Sequence, residues 1–174
     1  MSNNIILIGL KACGKTSVAK NFAELYPSYK YIDTDDLIQE NYSNNKASRY
    51  SIPEIYNNLG DVKFRDLESE VINNLSNDIK NDNIIIATGG GVILNNNIII
   101  TLKKLGKIIY LYCPPELIYK RWLDNNIKPS FVKNHKEFLQ YISTRLNKYN
   151  SIADYKINTE GLNISEIINN ILKI

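Results

Sequence analysis

The sequence predicts a parallel α/β sandwich, in which helices cover both faces of a single sheet. Short apolar runs alternate along the chain with longer segments of helical apolar spacing, an order typical of strand–helix–strand units. Three of the apolar runs, 5–8, 84–86 and 108–111, are nearly continuous rather than alternating. Continuous apolar runs indicate strands that are buried on both faces, as in a parallel sheet.

The elements follow one another in strand–helix order. The predicted strands are the apolar runs bounded by turn residues at 4–9, 29–32, 83–88, 107–113 and 154–157. The predicted helices include 16–25, 64–79, 115–122 and 136–147. At 174 residues, with 44% hydrophobic and 22% charged residues, the chain fits one domain spanning 1–174.

Composition and charge exclude several classes of function. The formal net charge is +3 and no long run of Lys and Arg occurs, so we expect neither a nucleic-acid nor a membrane partner. His135 is the single histidine, which argues against histidine-rich metal sites. The first apolar run is too short for a signal peptide, and Cys13 and Cys113 lack metal-type spacing. We therefore expect a cytoplasmic protein with two free thiols.

The strongest motif runs from Gly9 to Thr16, GLKACGKT, and matches the phosphate-binding P-loop pattern G-x-x-x-x-G-K-[ST] at every fixed position. It follows a predicted strand and opens a predicted helix, where backbone N–H groups can surround phosphate. Lys15 is expected to reach the β- and γ-phosphates of a nucleotide, and the Thr16 hydroxyl to bind Mg²⁺. The predicted nucleotide contacts are Gly9, Lys11, Ala12, Cys13, Gly14, Lys15, Thr16 and Ser17.

Two carboxylates follow the second predicted strand. Asp33 and Asp35 point the same way by alternation and lie near the carboxyl end of the sheet, where ligands of open α/β folds bind. One could belong to the Mg²⁺ shell while the other orients an acceptor hydroxyl or takes its proton. The alternative is an acidic helix N-terminus, with Asp35 or Asp36 capping a helix from Leu37 onward.

Two further clusters carry polar chemistry. Gly89, Gly90 and Gly91 directly follow a predicted central strand, which predicts a loop with exposed N–H groups or, alternatively, a flexible turn. Arg65 and Glu68 are three residues apart on a predicted helix, so they share one face. Glu68 could hold the Arg65 guanidinium ready for a carboxylate ligand, although an exposed helix pair would look the same.

These segments, in this order along nearly the whole chain, resemble the shikimate kinases. The resembling segments are the P-loop, Asp33-Thr34-Asp35, IPEIY at 52–56, GDVKFR at 60–65 with Glu68, the glycine triplet, Arg121 seven residues before Lys128-Pro129, and RLNKY at 145–149 before IAD at 152–154. The resemblance implies a three-layer α/β/α P-loop kinase fold with a five-stranded parallel sheet. It also implies a substrate-binding region at about 34–65 and a lid at about 124–138.

The same resemblance implies the reaction and the residue roles. The reaction is the ATP-dependent phosphorylation of the 3-hydroxyl of shikimate, in the aromatic amino-acid precursor pathway, by a monomer with Mg²⁺ as cofactor. Implied roles are Arg65 and Arg145 on the substrate carboxylate, Asp35 and Gly89 to Gly91 on its hydroxyls, Asp33 on Mg²⁺, Arg121 on the nucleotide, and Lys15, Asp35 and Lys128 in catalysis. A planar guanidinium grips a carboxylate with two hydrogen bonds, which favours arginine at 65 and 145.

The lid departs from the family pattern. Where the family usually has arginine before proline and leucines after it, this chain reads IKPSF at 127–131. Lys128 keeps the positive charge but loses the fork of donors, which favours a single contact with the γ-phosphate. Two other interpretations stay open: a P-loop kinase for another small hydroxylated acceptor such as gluconate or a nucleoside monophosphate, and a nucleotide-binding switch without turnover.

Overall fold

The computed structural model describes residues 3–44, 49–79, 83–129 and 132–174. Its centre is a five-stranded sheet in which every neighbouring pair of strands is parallel, in the order β2-β3-β1-β4-β5. The strands are β1 (Ile5–Ile8), β2 (Lys30–Asp33), β3 (Ile84–Ala87), β4 (Lys107–Tyr112) and β5 (Tyr155–Asn158). The predicted parallel α/β sandwich is confirmed, and each strand lies within one or two residues of its predicted position.

Helices connect the strands and pack on both faces of the sheet. They are α1 (Lys15–Leu25), α2 (Thr34–Ser43), α3 (Ile52–Asp78), α4 (Asn96–Leu105), α5 (Pro115–Asp124), α6 (His135–Ile152) and α7 (Ile164–Leu172), with a 3₁₀ turn at Val92–Leu94. β1, β3 and β4 are almost wholly buried, as their continuous apolar runs predicted.

Two helices, α4 and α7, were not predicted from the sequence, and α2 was considered only as an alternative. α4 carries the run Ile98-Ile99-Ile100, and β-branched residues raise strand propensity, which hides its helical spacing. In the structure Ile98, Ile99, Leu102 and Leu105 form its buried face. Tertiary packing decides the conformation here, against local propensity.

A small second core lies beside the main one, between α2 and α3. Its buried members are Ile38, Ile55, Phe64 and Val71. α3 begins with a capping box formed by Ser51 and Glu54, and it bends at Gly60, whose φ of +73° favours glycine. This part of the fold corresponds to the region predicted at 34–65, except that residues 45–48 lie outside the described residues.

Within the described ranges, no helix has the length and apolar character needed to cross a bilayer.

Candidate active site

A deep cleft opens at the carboxyl ends of the parallel strands, with a volume of about 1110 Å³. The P-loop, the region after β2, the glycine triplet, and residues of α3, α5 and α6 all contribute to its walls. Its charged lining consists of Lys11, Lys15, Arg65, Arg121, Lys128 and Arg145 together with Asp33, Asp35, Asp61 and Glu68. Cations outnumber acids, so the cleft suits an anionic ligand.

The P-loop wraps its own lysine. Lys15 is buried, and its ammonium donates hydrogen bonds to the carbonyl oxygens of Gly9 (2.9 Å) and Leu10 (3.0 Å). Its Nζ also lies 3.7 Å from the Sγ of Cys13, which is buried in the loop. Ser17 is exposed on the first turn of α1, and Gly14, with φ of +104°, precedes that helix. The positive end of α1 therefore faces the cleft.

Two side chains of helix α5 donate hydrogen bonds to carbonyl oxygens of the P-loop. Arg121 Nη1 donates to the carbonyl oxygen of Ala12 at 2.9 Å, and Trp122 Nε1 donates to that of Lys11 at 2.9 Å. Ala12 has a φ of +70°, a left-handed conformation that costs a residue with a Cβ about 1–2 kcal/mol. Contacts from a separate helix thus maintain a strained turn at the phosphate-binding loop.

Asp33 joins the second strand to the P-loop. Its Oδ2 accepts a hydrogen bond from the Thr16 hydroxyl at 2.8 Å, and its Oδ1 accepts one from the Asp35 backbone N–H at 2.9 Å. Asp33 is therefore the N-cap of α2, which begins at Thr34. The alternative of an acidic helix N-terminus is borne out, because Asp35 and Asp36 lie in the first turn of α2, but the predicted cap at Asp35 or Asp36 was wrong, because the helix starts before them. One carboxylate serves both the helix end and the candidate metal position.

The Asp35 carboxyl lies beside Gly89, near Glu68. Burial, and then repulsion by Asp33, raise the pKa of Asp35 to about 6, although Lys15 and Lys11 oppose the shift. At neutral pH the Asp35 carboxylate is therefore mostly ionised, but keeping it ionised in the folded protein costs free energy of folding. An acid kept in this state can accept a hydrogen bond from a ligand hydroxyl.

The glycine triplet forms a turn that side chains of two other elements contact. The Gly89 N–H donates to the hydroxyl of the buried Thr34 at 3.0 Å, and the hydroxyl of the buried Tyr149 donates to the Gly90 carbonyl at 2.6 Å. A Cβ on Gly91 would overlap the Arg65 guanidinium. The loop can therefore lie against that arginine only because residue 91 has no side chain.

Both predicted arginines line the cleft with part of the guanidinium unsatisfied. Arg65 Nη1 donates to Glu68 Oε2 at 2.8 Å, which bears out their shared face, and its Nε lies 3.6 Å from Asp61 Oδ1. Arg145 Nη1 donates to the Tyr141 carbonyl at 2.8 Å, and its guanidinium carbon lies 3.7 Å from that ring's centre. The Nε atoms of both arginines are buried without a hydrogen-bond partner. Two guanidinium groups that line one cleft suit an anionic ligand such as a carboxylate.

The predicted lid is only partly described, because Ser130 and Phe131 lie outside the described residues. Lys128 lines the cleft, but its ammonium donates to the carbonyl of Val132. The Val132 N–H in turn donates to the Pro129 carbonyl at 3.0 Å. The Lys128 ammonium is therefore bound within its own segment. It does not contact the Gly9 and Leu10 carbonyls, which accept hydrogen bonds from Lys15.

Sequence reasoning missed the residues that position the loops. Thr34 and Tyr149 were seen only as part of a family pattern, and Trp122 only as the end of a helix. Trp122 and Tyr149 reach backbone carbonyls that are 111 and 59 positions away along the chain. No local pattern encodes a contact at such separation, so the only available signal was the amphipathic character of a buried Trp or Tyr.

The donor set also fits a nucleotide-bound Mg²⁺. The described ranges contain no cluster of three or more His, Cys, Asp or Glu side chains placed to hold a metal ion. Mg²⁺, however, typically takes one or two protein oxygens and completes its shell with phosphate and water. The Thr16 hydroxyl and the Asp33 carboxylate, which lie 2.8 Å apart, provide two such hard oxygen donors at the P-loop.

Comparison with known protein families and sequences gives one answer. The family model described as shikimate kinase matches residues 11–174. A shikimate kinase of Staphylococcus epidermidis is 35% identical over 94% of this chain and 89% of its own length. A shikimate kinase of Persephonella marina is 31% identical over 97% of this chain and 96% of its own length.

Solved structures agree in fold. A shikimate kinase from Acinetobacter baumannii in complex with shikimate superposes with a TM-score of 0.83 at 29% identity, covering 99% of this chain and 92% of that one. A shikimate kinase from Aquifex aeolicus superposes with a TM-score of 0.76 at 26% identity, covering 98% and 94%. The five-stranded parallel P-loop kinase fold expected from the sequence is therefore confirmed.

We predict that Ala12→Gly stabilises the protein by about 1 kcal/mol, because glycine relieves the left-handed strain at φ +70°. Thermal and urea unfolding of the purified protein would measure the change. Ala19→Gly is the matched control, since Ala19 is a buried residue of α1, where glycine costs about 1 kcal/mol. Equal destabilisation by both substitutions would contradict the strain at Ala12.

We also predict that Asp35→Asn stabilises the metal-free protein while it removes activity. The folded pKa of about 6 exceeds the ordinary 3.8, so folding disfavours the ionised form at higher pH. The gain in the free energy of unfolding should be about 3 kcal/mol well above pH 6, decrease between the two pKa values, and vanish below the lower one.

Asp36→Asn is the control for this pH dependence, since Asp36 is exposed on the same helix turn. Unfolding would be followed at a series of pH values in the presence of a chelator. A stability difference between Asp35→Asn and the parent protein that does not change with pH would refute the raised pKa.

Proposed function

Because the chain belongs to the shikimate kinase family, we propose that it transfers the γ-phosphoryl group of ATP to the 3-hydroxyl of shikimate. The observation that carries the proposal furthest is the pair of guanidinium groups, on Arg65 and Arg145, that line the same cleft as the P-loop. They suit a carboxylate, which shikimate carries and which an acceptor such as a nucleobase does not.

The P-loop forms the nucleotide side. The ammonium of Lys15 exchanges the carbonyls of Gly9 and Leu10 for the β- and γ-phosphate oxygens, a stronger charge-assisted contact. Backbone N–H groups from Lys11 to Ser17 and the N-terminus of α1 complete the phosphate site. Arg121 contributes on this side through the Ala12 carbonyl it already holds, which fixes the loop's curvature.

Thr16 and Asp33 would hold Mg²⁺ with the nucleotide. When bound, the ion neutralises charge on the phosphate oxygens and orients the γ-phosphoryl group. The Thr16 hydroxyl donates a hydrogen bond to Asp33, and Asp33 also caps α2. The cap contact positions Asp33, so the oxygen that faces the P-loop needs no large rearrangement.

The acceptor side is built around the glycine loop. Arg65 and Arg145 bind the shikimate carboxylate, and the Gly89 to Gly91 loop, which has no side chains, lets the hydroxyl-bearing ring approach the P-loop closely. The Glu68 carboxylate orients the Arg65 guanidinium by accepting a 2.8 Å hydrogen bond from its Nη1. Fixing the acceptor in line with the γ-phosphoryl group is the largest contribution that a protein makes to such a reaction.

Asp35 orients the reacting hydroxyl. Its carboxylate lies next to Gly89 and is ionised at neutral pH, so it accepts the hydrogen bond of the 3-hydroxyl. Phosphoryl transfer passes through a loose transition state in which little proton removal is needed early. Orientation of the attacking oxygen is therefore the main task of Asp35. Lys128, once released from the Val132 carbonyl as the lid closes, supplies one further N–H to the transferring group.

The remaining features agree with a cytosolic enzyme that acts as a single copy. The side chains assigned above line one cleft of a single chain, and we propose that one chain suffices for activity. Cys13 and Cys113 are free and buried, as in a reducing compartment.

Shikimate-dependent release of ADP is the direct test. We expect purified protein with Mg·ATP to release ADP when shikimate is added, and Lys15→Ala to lose that activity by about 100-fold or more, because it removes a charge-assisted phosphate contact. A coupled assay measures ADP, with gluconate and nucleoside monophosphates as parallel acceptors. Turnover with one of those acceptors alone would keep the kinase and reject shikimate, and nucleotide binding without any turnover would favour the switch.

The two arginines can be tested against the substrate's own carboxylate. We expect the parent enzyme to prefer shikimate over its neutral primary amide by tenfold or more in kcat/KM, and Arg65→Lys or Arg145→Lys to reduce this preference, because lysine lacks the bidentate fork. Arg49→Lys is the matched control, since Arg49 is an exposed arginine outside the cleft. A preference that is the same in all four proteins would place the carboxylate elsewhere.

A further inference from the structure

One cation of the cleft differs from the rest in its contacts. Six lysine and arginine side chains line the cleft, and five of them donate to an acceptor of the protein. Those contacts are Lys15 to the Gly9 and Leu10 carbonyls, Arg65 to Glu68, Arg121 to the Ala12 carbonyl, Lys128 to the Val132 carbonyl and Arg145 to the Tyr141 carbonyl. Among the residues that the structure describes, no acceptor or acidic partner lies within contact of the Lys11 ammonium, which is exposed in the cleft.

The backbone of Lys11 is nevertheless fixed on both sides. Its carbonyl oxygen accepts the hydrogen bond from Trp122 Nε1 at 2.9 Å, and Trp122 is buried. A Cβ built on Gly90 would lie 3.2 Å from the Lys11 nitrogen, so this residue abuts the glycine loop. Lys11 therefore sits where the P-loop meets the loop that carries the acceptor, with a fixed main chain and a free charged end.

The position of Lys11 also borders the acceptor side of the cleft. Gly89, which precedes Gly90 in the glycine loop, lies beside the Asp35 carboxyl, and Lys11 and Asp35 line the same cleft. Lys11 thus lies at the junction of the loops on which the nucleotide and the acceptor are proposed to bind.

We propose that Lys11 is a second phosphate-binding cation of the P-loop, whose ammonium contacts the γ-phosphoryl group from the acceptor side during transfer. This inference rests on the proposed function, because it assigns a further catalytic residue to the same site. The transferring group spreads negative charge over three equatorial oxygens, and Lys15 reaches only part of it from the nucleotide side. In the lid, Lys128 stands where the family usually has arginine, and a lysine donates fewer N–H groups than an arginine does. A further ammonium at Lys11 would therefore add to the stabilisation of negative charge on the transferring group.

The test compares Lys11→Met with Lys11→Arg and with Lys104→Met as the matched control. Methionine keeps the length of the side chain without the charge, and Lys104 is an exposed lysine of α4 outside the cleft. Titration calorimetry measures the affinity for ADP and for a non-hydrolysable ATP analogue, and the coupled assay measures kcat/KM with shikimate.

For Lys11→Met we expect about a tenfold loss in affinity for the ATP analogue and in kcat/KM, with ADP affinity within about twofold of the parent, since only the γ-phosphoryl contact is removed. Lys11→Arg should recover most of both losses, and Lys104→Met should change neither. Parental affinity for the analogue in Lys11→Met, or an equal loss for ADP and the analogue, would overturn the proposal.

The two proposals can fail separately. If the parent protein does not phosphorylate shikimate, the proposed function is rejected, yet the comparison of ADP with the ATP analogue still decides the role of Lys11. If the parent is active and Lys11→Met is equally active, only the role of Lys11 is rejected.

Discussion

The close approach of the P-loop to the glycine loop is the constraint on which the rest of the site depends. β1 and β3 are adjacent in the sheet, so the loops that follow them meet at one edge. Gly90 lies against the Lys11 nitrogen at a distance that a side chain could not keep without displacement. An acceptor bound on the glycine loop is thereby brought next to the phosphates on the P-loop, which is the positioning that phosphoryl transfer requires.

Aromatic side chains of α5 and α6 hold both loops in that approach. Trp122 donates to the Lys11 carbonyl, and Tyr149 donates to the Gly90 carbonyl while its ring stacks on Tyr110 at 5.0 Å between ring centres. Tyr141 packs against both Trp122 and the Arg145 guanidinium. Helices α5 and α6 therefore support the P-loop, the glycine loop and the arginine that we propose for the substrate carboxylate.

The sequence predicted the residues of the site better than the residues that position its loops. The P-loop pattern, the continuous apolar strands and the order of segments were sufficient for the fold, because each is a local property of a few consecutive residues. α4 was missed because Ile98 to Ile100 favour a strand locally, and only packing resolves the conflict. Trp122 and Tyr149 were missed because their partners are distant carbonyls.

The strained elements of the site share one physical logic. Ala12 holds a left-handed turn, Asp35 is ionised at a raised pKa, and Arg65 and Arg145 place two guanidinium groups in one cleft. The first two features cost free energy in the protein alone. In the proposed complex the substrate carboxylate binds the two arginines, and Asp35 accepts a hydrogen bond from the reacting hydroxyl. These contacts are part of the binding free energy, so nucleotide and acceptor should stabilise the fold by an amount that their affinity and concentration set.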